Sequence, residues 1–301
     1  MKPLDNVTVL SGITPSHSSE KVGWWWAALG VLCFSLTLPV TRLVVPEFGS
    51  LTTGFGRAVV AGLLATALLW LRRERLPERR HWVGLVLVTV GVVFGFPVFT
   101  SLALRTVPAT HAAVVVGLLP AATAVAAVLL TRERPKLAFW LVCGLGLLAV
   151  LGFGVVIGAG HLGLGDLYLL LAVVFAALGY AEGGRLARTL DGWRVVSWAL
   201  VLGLPVALVA LLLSPLPAHL PSLPAWLGFA YISVFSMFLG FFAWYRGLAL
   251  GGVARAGQVQ LLQPVLSLGW AALLLGEHLT LPTLLAASVI VGCAALSRLT
   301  R

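Results

Sequence analysis

Leu102–Pro135 reads LALRTVPATHAAVVVGLLPAATAVAAVLLTRERP, and Leu248–Leu279 reads LALGGVARAGQVQLLQPVLSLGWAALLLGEHL. Pro120 pairs with Pro264 and Glu133 with Glu277 at one common offset, whereas the leading LAL motifs sit two residues further apart. More loosely, Phe34 and Arg42 in the first apolar run resemble Phe175 and Arg185 in the sixth. The chain is thus read as one unit used twice.

The composition says what kind of unit. Of 301 residues, 60% are hydrophobic and 10% charged, with a mean hydropathy of +1.03. Soluble domains hold about 25% charged residues, so this chain cannot cover a water-facing surface. A soluble enzyme, a secreted disulfide scaffold and a disordered chain are excluded. Residues 1–22 read as a polar cytoplasmic tail, and apolar runs follow at about 24–45, 52–71, 82–104, 107–130, 138–158, 164–182, 195–214, 225–249, 253–275 and 283–299. Each is near the roughly 20 residues that a helix needs to cross the hydrocarbon core. The first run is too long for a secretory signal, whose apolar core is about 7–15 residues. The loops are short and leave no room for a soluble catalytic domain. The fold class is therefore all-α and integral to the membrane, with ten transmembrane helices. Residues 23–158 form the first five-helix repeat and 159–301 the second.

Basic residues set the orientation, because cytoplasmic loops are rich in Lys and Arg. One side gathers Lys2, Lys21, the Arg72–Arg80 loop, Arg132, Arg134, Lys136, Arg185, Arg188, Arg194, Arg246, Arg255, Arg298 and Arg301, and the other only Arg42 and Arg105. Both termini are placed in the cytoplasm. The net charge of +10 is then an orientation signal, with no nucleic-acid partner. Five spans per half is an odd number, so the second repeat enters from the opposite face. Inverted repeats are a transporter device, in which the halves rock about a midplane site. Pro120 and Pro264 fall near the middle of spans four and nine, where a missing N–H and a ring clash bend a helix. They are read as paired hinges.

Ten spans in inverted halves, each ending in P-x12-E (Pro120 to Glu133, Pro264 to Glu277), resemble the drug/metabolite transporter superfamily, EamA type. Arg57 early in span two, Gly165-Asp166 opening span six, and Gly276-Glu277 after span nine fit the same resemblance. It implies a bacterial inner-membrane secondary transporter that exports small metabolites, amino acids foremost. The cavity would lie between spans one, three, four, six, eight and nine. Exporters or facilitators of drugs or nucleosides, and a lipid-handling scaffold, are the alternatives.

The candidate substrate-binding residues are Gln258, Gln260, Gln263, Trp244, Tyr245, Phe96, Phe99 and His111. Polar groups deep in a span face a cavity or a partner helix. The three glutamines either bind solute or satisfy neighbouring helices and the carbonyl that the Pro264 bend frees near Gln260. The four aromatic residues offer a pocket wall or simple packing. His111 is a proton-linked group or a hydrogen-bonded packing residue. Glu182, the acid at an inner span end, is read as pairing with Arg185 or as a coupling group. Arg57, about one turn into its span, is expected to snorkel to the outer interface, or to attract a carboxylate or headgroup as a gate. Glu133 and Glu277 are expected to cap the helix that follows each loop.

No catalytic residue, cofactor or metal set is read. Residues Gly158–Gly163 match G-x-G-x-x-G but join two apolar helices, so their glycines mark a tight turn. No Walker A motif and no H-E-x-x-H or G-x-S-x-G occurs. Cys33, Cys143 and Cys293 lie in apolar runs as packing residues. G-x-x-x-G spacings at Gly91/Gly95, Gly154/Gly158 and Gly247/Gly251 are read as helix-packing faces. Glycine-rich span five could also serve a homodimer, so the chain is read as monomer or homodimer.

Overall fold

The computed structural model describes residues 17–131, 136–157, 160–215, 217, 219–251 and 259–299, and these form helices and the turns between them. Numbered by span, the helices are α1a (His17–Ser35), α1b (Thr37–Phe48), α2 (Ser50–Leu71), α3 (Arg79–Ala103), α4a (Ala109–Val116) and α4b (Leu119–Thr131). The second half holds α5 (Leu137–Ile157) at its boundary, then α6 (Leu164–Leu186), α7 (Gly192–Leu212), α8 (Leu223–Leu250), α9 (Leu262–Leu275) and α10 (Leu281–Leu299). Eight described stretches are long and apolar enough to cross a membrane. The last two apolar helices are shorter as described.

Two boundaries differ from the sequence reading. The first helix starts at His17, inside the expected tail, because Ser18, Ser19 and Glu20 suit a first helical turn. The sixth continues to Leu186, since Glu182 and Arg185 pair within the helix instead of ending it. The connection between α1b and α2 is Gly49 alone, at φ +77°, a backbone conformation that a side chain would strain.

The packing obeys an exchange of the two halves. Helix α1 packs on α8, and its counterpart α6 packs on α3; α1 meets α9 just as α6 meets α4. The pairs α2–α7, α4–α9 and α5–α10 map onto themselves. Five crossings per half make the repeats inverted, with both termini on the side that the basic loops mark as cytoplasmic. Helix α4 is the most buried of the long helices and α5 the least.

Close helix approach uses the glycines anticipated from sequence. A Cβ on Gly91 would lie 2.3 Å from the Phe175 carbonyl oxygen of α6, and one on Gly247 2.5 Å from the Ala27 nitrogen of α1. These are the α3–α6 and α1–α8 seams, which the repeat relates. On α5, Gly144 and Gly152 face open space. The same two seams carry a feature that sequence reading missed. Helix α3 widens into a π-helix at Thr89–Gly95, and α8 does so at Tyr231–Leu239. The periodicity of a π-turn differs too little from that of an α-helix to show in an apolar run.

Candidate functional site

Helix breaks meet at the centre of the bundle. Helix α4 is interrupted at Gly117-Leu118, just before Pro120, and α9 is preceded by a turn at Gln260-Leu261, just before Pro264. A Cβ on Gly117 would sit 3.4 Å from the Pro264 Cβ, so the two interruptions abut. Between them and Leu38 lies a cavity of about 10 Å³, also lined by Gln260, Gln263 and Ser267. That is room for about one water molecule, so the centre is closed. Helix α1 breaks at Leu36 beside it. There Ser267 Oγ donates to the Ser35 carbonyl at 2.7 Å and Trp270 Nε1 to Ser35 Oγ at 3.1 Å, while Thr37 and Ser236 hydroxyls share a 2.8 Å bond.

The glutamines do not serve the backbone as one reading supposed. The carbonyl of Gln260, freed by Pro264, accepts the Gln263 main-chain N–H at 3.0 Å. Gln260 Nε2 and Gln263 Oε1 are buried without a partner among the described residues. Both side chains thus keep hydrogen-bonding capacity at the closed centre. Gln258 lies outside the described residues.

One turn inward, an aromatic cluster fills the space between α1, α6 and α8. Phe34 packs on Phe241 with ring centroids 4.7 Å apart, and Tyr180 lies 5.7 Å from Phe241 and 5.9 Å from Trp244. Trp244 belongs to this wall, and its indole N–H has no partner among the described residues. Tyr245 does not face the cluster's interior with its hydroxyl, which donates to the Gly179 carbonyl at 3.2 Å and locks α8 to α6. Phe96 and Phe99 also lie elsewhere: Phe99 packs on Tyr168 and Phe175 of α6, and Phe96 is a half-buried packing residue of α3. Phe34 enters the sequence reading only as a repeat residue, and Tyr180 and Phe241 not at all; that the three meet Trp244 is visible only once the helices are assembled.

Arg57 corrects the snorkelling expectation. It sits two turns into α2 and is 2% exposed, facing the protein interior, with Nε and Nη1 unpartnered among the described residues. Gly54, three residues earlier on the same face, meets Val98 of α3, so this face of α2 is turned inward, away from lipid. The electrostatic neighbour of Arg57 is the Tyr180 phenol. Ser50, Thr53 and Arg57 share that buried face. Ser50 borders an outer cavity of about 470 Å³ whose wall also includes Arg42 of α1b and Arg105 of the loop before α4a. Ser50 thus stands both at the edge of this cavity and on the helix face that carries Arg57.

The helix ends carry the remaining polar groups. Glu182 accepts two bonds from Arg185, with Nε at 2.9 Å, as one reading had it, and its carboxylate abuts Gly84 of α3. At the outer end, His111 Nε2 lies 2.6 Å from Asp166 Oδ1, both buried. Glu277 corrects a second expectation. Its carboxylate does not cap α10, which follows it; it accepts the N–H groups of Ala109 (2.8 Å) and Thr110 (2.7 Å) and so caps α4a in the other half. The left-handed turn at Gly276, φ +66°, swings the next residue away from α10 and toward α4a. Glu133 lies outside the described residues. Of the G-x-G-x-x-G match, Gly160 turns at φ +100° and Gly163 is the N-cap of α6.

Comparison with known proteins agrees with this architecture. The EamA-like transporter family matches twice, over residues 21–155 and 163–299. This chain belongs to the EamA-like transporter family. A Bacillus subtilis (strain 168) relative described as "Uncharacterized transporter YdeK" is 45% identical over 92% of this chain and 96% of its own length. The Synechocystis "Uncharacterized transporter sll0355" is 24% identical over 74% of both chains, and the Escherichia coli "Inner membrane protein YtfF" 34% identical over 42% of both. A solved crystal structure, 22% identical, superposes with a TM-score of 0.63 over 93% of this chain and 97% of its own, which shows a shared fold. In this EamA-like transporter the doubled match and the exchange-symmetric packing describe the same repeat.

Proposed function

We propose that the chain is a secondary exporter of small carboxylate-bearing metabolites, amino acids foremost, in the bacterial inner membrane, and works as a carrier without catalysis. The observation that carries this reading is Arg57: a guanidinium buried in the bundle with two nitrogens unpartnered and no carboxylate against it among the described residues. A buried unpaired charge is costly, and a guanidinium fork matches a carboxylate in geometry as well as charge. An amino acid would place its carboxylate on Arg57 and its side chain among Phe34, Tyr180 and Trp244. The unpartnered amides of Gln260 and Gln263 would meet its ammonium or side chain as the paired breaks at Pro120 and Pro264 rock open. Arg42 and Arg105 in the wall of the outer cavity support the same reading, since two cations there would attract a carboxylate. The closed centre corresponds to the occluded step of the cycle. The monomer suffices for this cavity, and a homodimer through α5 would not alter it.

The test is counterflow in proteoliposomes preloaded with single amino acids. Labelled threonine, methionine or phenylalanine should exchange faster than in empty vesicles. Arg57→Gln should slow exchange of the responding solute about 100-fold, about 2–3 kcal/mol for a lost charge-assisted bidentate contact, and Arg57→Lys should recover part of it. Absence of exchange for every carboxylate-bearing solute, in vesicles that hold folded protein, would overturn the reading. Drugs, nucleosides and labelled lipid would then be tried.

A further inference from the structure

From the outer end of the bundle we infer a proton-binding site that controls closure of the outer gate: the His111–Asp166 pair. His111 stands in the first turn of α4a and Asp166 in the first turn of α6, and the two meet at 2.6 Å. Asp166 Oδ2 also accepts the Gly163 N–H at 2.9 Å, which fixes the carboxylate whatever the histidine does. The imidazole packs against Phe153 of α5 at 5.0 Å between centroids, and its Nδ1 has no partner among the described residues.

Among the described residues, the charged and titratable groups at this end of the bundle include exposed Arg105 in the loop before α4a, His161 in the loop before α6 and His278 next to Glu277. Helix α6 contributes Asp166. The loop before α10 contributes Glu277, whose carboxylate holds the N–H groups of the two preceding residues, Ala109 and Thr110. On α1b, Arg42 is engaged with the Leu104 carbonyl in the loop before α4a. Helices α5 and α9 carry no charged residue, and Arg298 of α10 belongs to the opposite end of that helix.

Closing the outer end brings α4a against α6 and buries Asp166. With a neutral imidazole this buries a carboxylate supported only by hydrogen bonds at the start of α6; with a protonated imidazole it buries a neutral ion pair, and burying a charge without an opposite charge is the costlier case. A free imidazole takes up a proton near neutrality. The balance is simple: one external proton adds to the open imidazole, and the resulting N–H bonds to Asp166 Oδ1 as the gate shuts. External acid therefore favours the closed outer gate. The inference rests on the alternating-access reading above but not on the identity of the solute.

The experiment needs no substrate. Ala113, 1% exposed and lining the closed centre, is replaced by cysteine in the full chain with Cys33, Cys143 and Cys293 changed to serine. A membrane-impermeant maleimide added outside oriented vesicles then reports outward opening, with the native His111–Asp166 pair compared against His111→Gln at each pH so that the reagent's own thiolate dependence cancels. Labelling relative to His111→Gln should fall as pH drops from 7.5 to 5.5, by at most about tenfold per pH unit for one linked proton. Asp166→Asn should reverse the sign, because acid then buries an unpaired cation. A ratio flat with pH, or an Asp166→Asn profile that parallels the native pair, would overturn the inference. Absence of labelling at every pH would remove alternating access itself, and the proton link with it.

Discussion

The cap that Glu277 places on α4a offers a quantitative test of how the outer gate is held. Two N–H groups, on Ala109 and Thr110, point at one carboxylate from the other repeat. Removing a helix N-cap costs about 0.5–2 kcal/mol. Two charge-assisted bonds argue for the upper part of that range and the half-exposed position of Glu277 for a discount. About 1–2 kcal/mol is a reasonable figure. The contact exists only while the α9–α10 loop sits on α4a, so its loss falls on the closed state alone. At about 1.4 kcal/mol per tenfold, Glu277→Ala should raise the outward-open population about five- to thirtyfold. Outside labelling of Ala113→Cys at fixed pH measures that population directly. Glu277→Gln should fall between, since an amide keeps one acceptor oxygen of two. Labelling of Glu277→Ala within about twofold of the parent would refute the reasoning, because the cap would then contribute nothing to closure.

Three further outcomes are expected. Gly91→Ala drives a methyl to 2.3 Å from the Phe175 carbonyl and should lower the melting temperature by several degrees, in line with about 1–3 kcal/mol of overpacking, whereas Gly152→Ala enters open space and should leave it unchanged. Tyr245→Phe removes the bond to Gly179 and should cost about 1 kcal/mol of stability while the solute KM stays the same; a raised KM would place Tyr245 in the binding site after all. On the hinge reading of the paired interruptions, replacing both Pro120 and Pro264 by alanine should slow counterflow about tenfold or more in protein that remains folded; unchanged exchange would sink the hinge.

The sequence carried the fold further than the site, and the difference is one of range. Span positions, the repeat and the depth of the prolines follow from composition and from residues local in the chain. Glycine faces at Gly91 and Gly247 follow from spacing along one helix. The site is made of contacts between distant segments. Glu277 and Ala109 are 168 residues apart, and His111 and Asp166 55. A short connection suggests capping of the next helix, and only the assembled inverted repeat shows the neighbour to be α4a. Arg57 was misplaced for a related reason. Near a span end, a long cation ordinarily reaches back to water, and nothing in the apolar residues around it tells that its face of α2 is turned inward. Trp244 and Tyr245 are adjacent in the chain yet divide, one into the aromatic wall and one into a structural bond, because successive residues on a helix point about 100° apart.

The wide turns in α3 and α8 bear on how tolerant this chain is to a change of length. A π-helical turn holds about one residue more than an α-helical one for a similar advance. Deleting a single residue from 89–95 would let α3 run on as an ordinary helix and rotate everything beyond it, from Phe96 to Ala103, by about 100° about the axis. Phe99 would leave Tyr168 and Phe175, and Thr100 would leave the buried face. The same excision in 231–239 would turn Trp244 out of the aromatic wall. Each π-turn thus works as a phase setting for the half-helix that follows it, and a compensating one-residue insertion within the same turn should restore what the deletion removes.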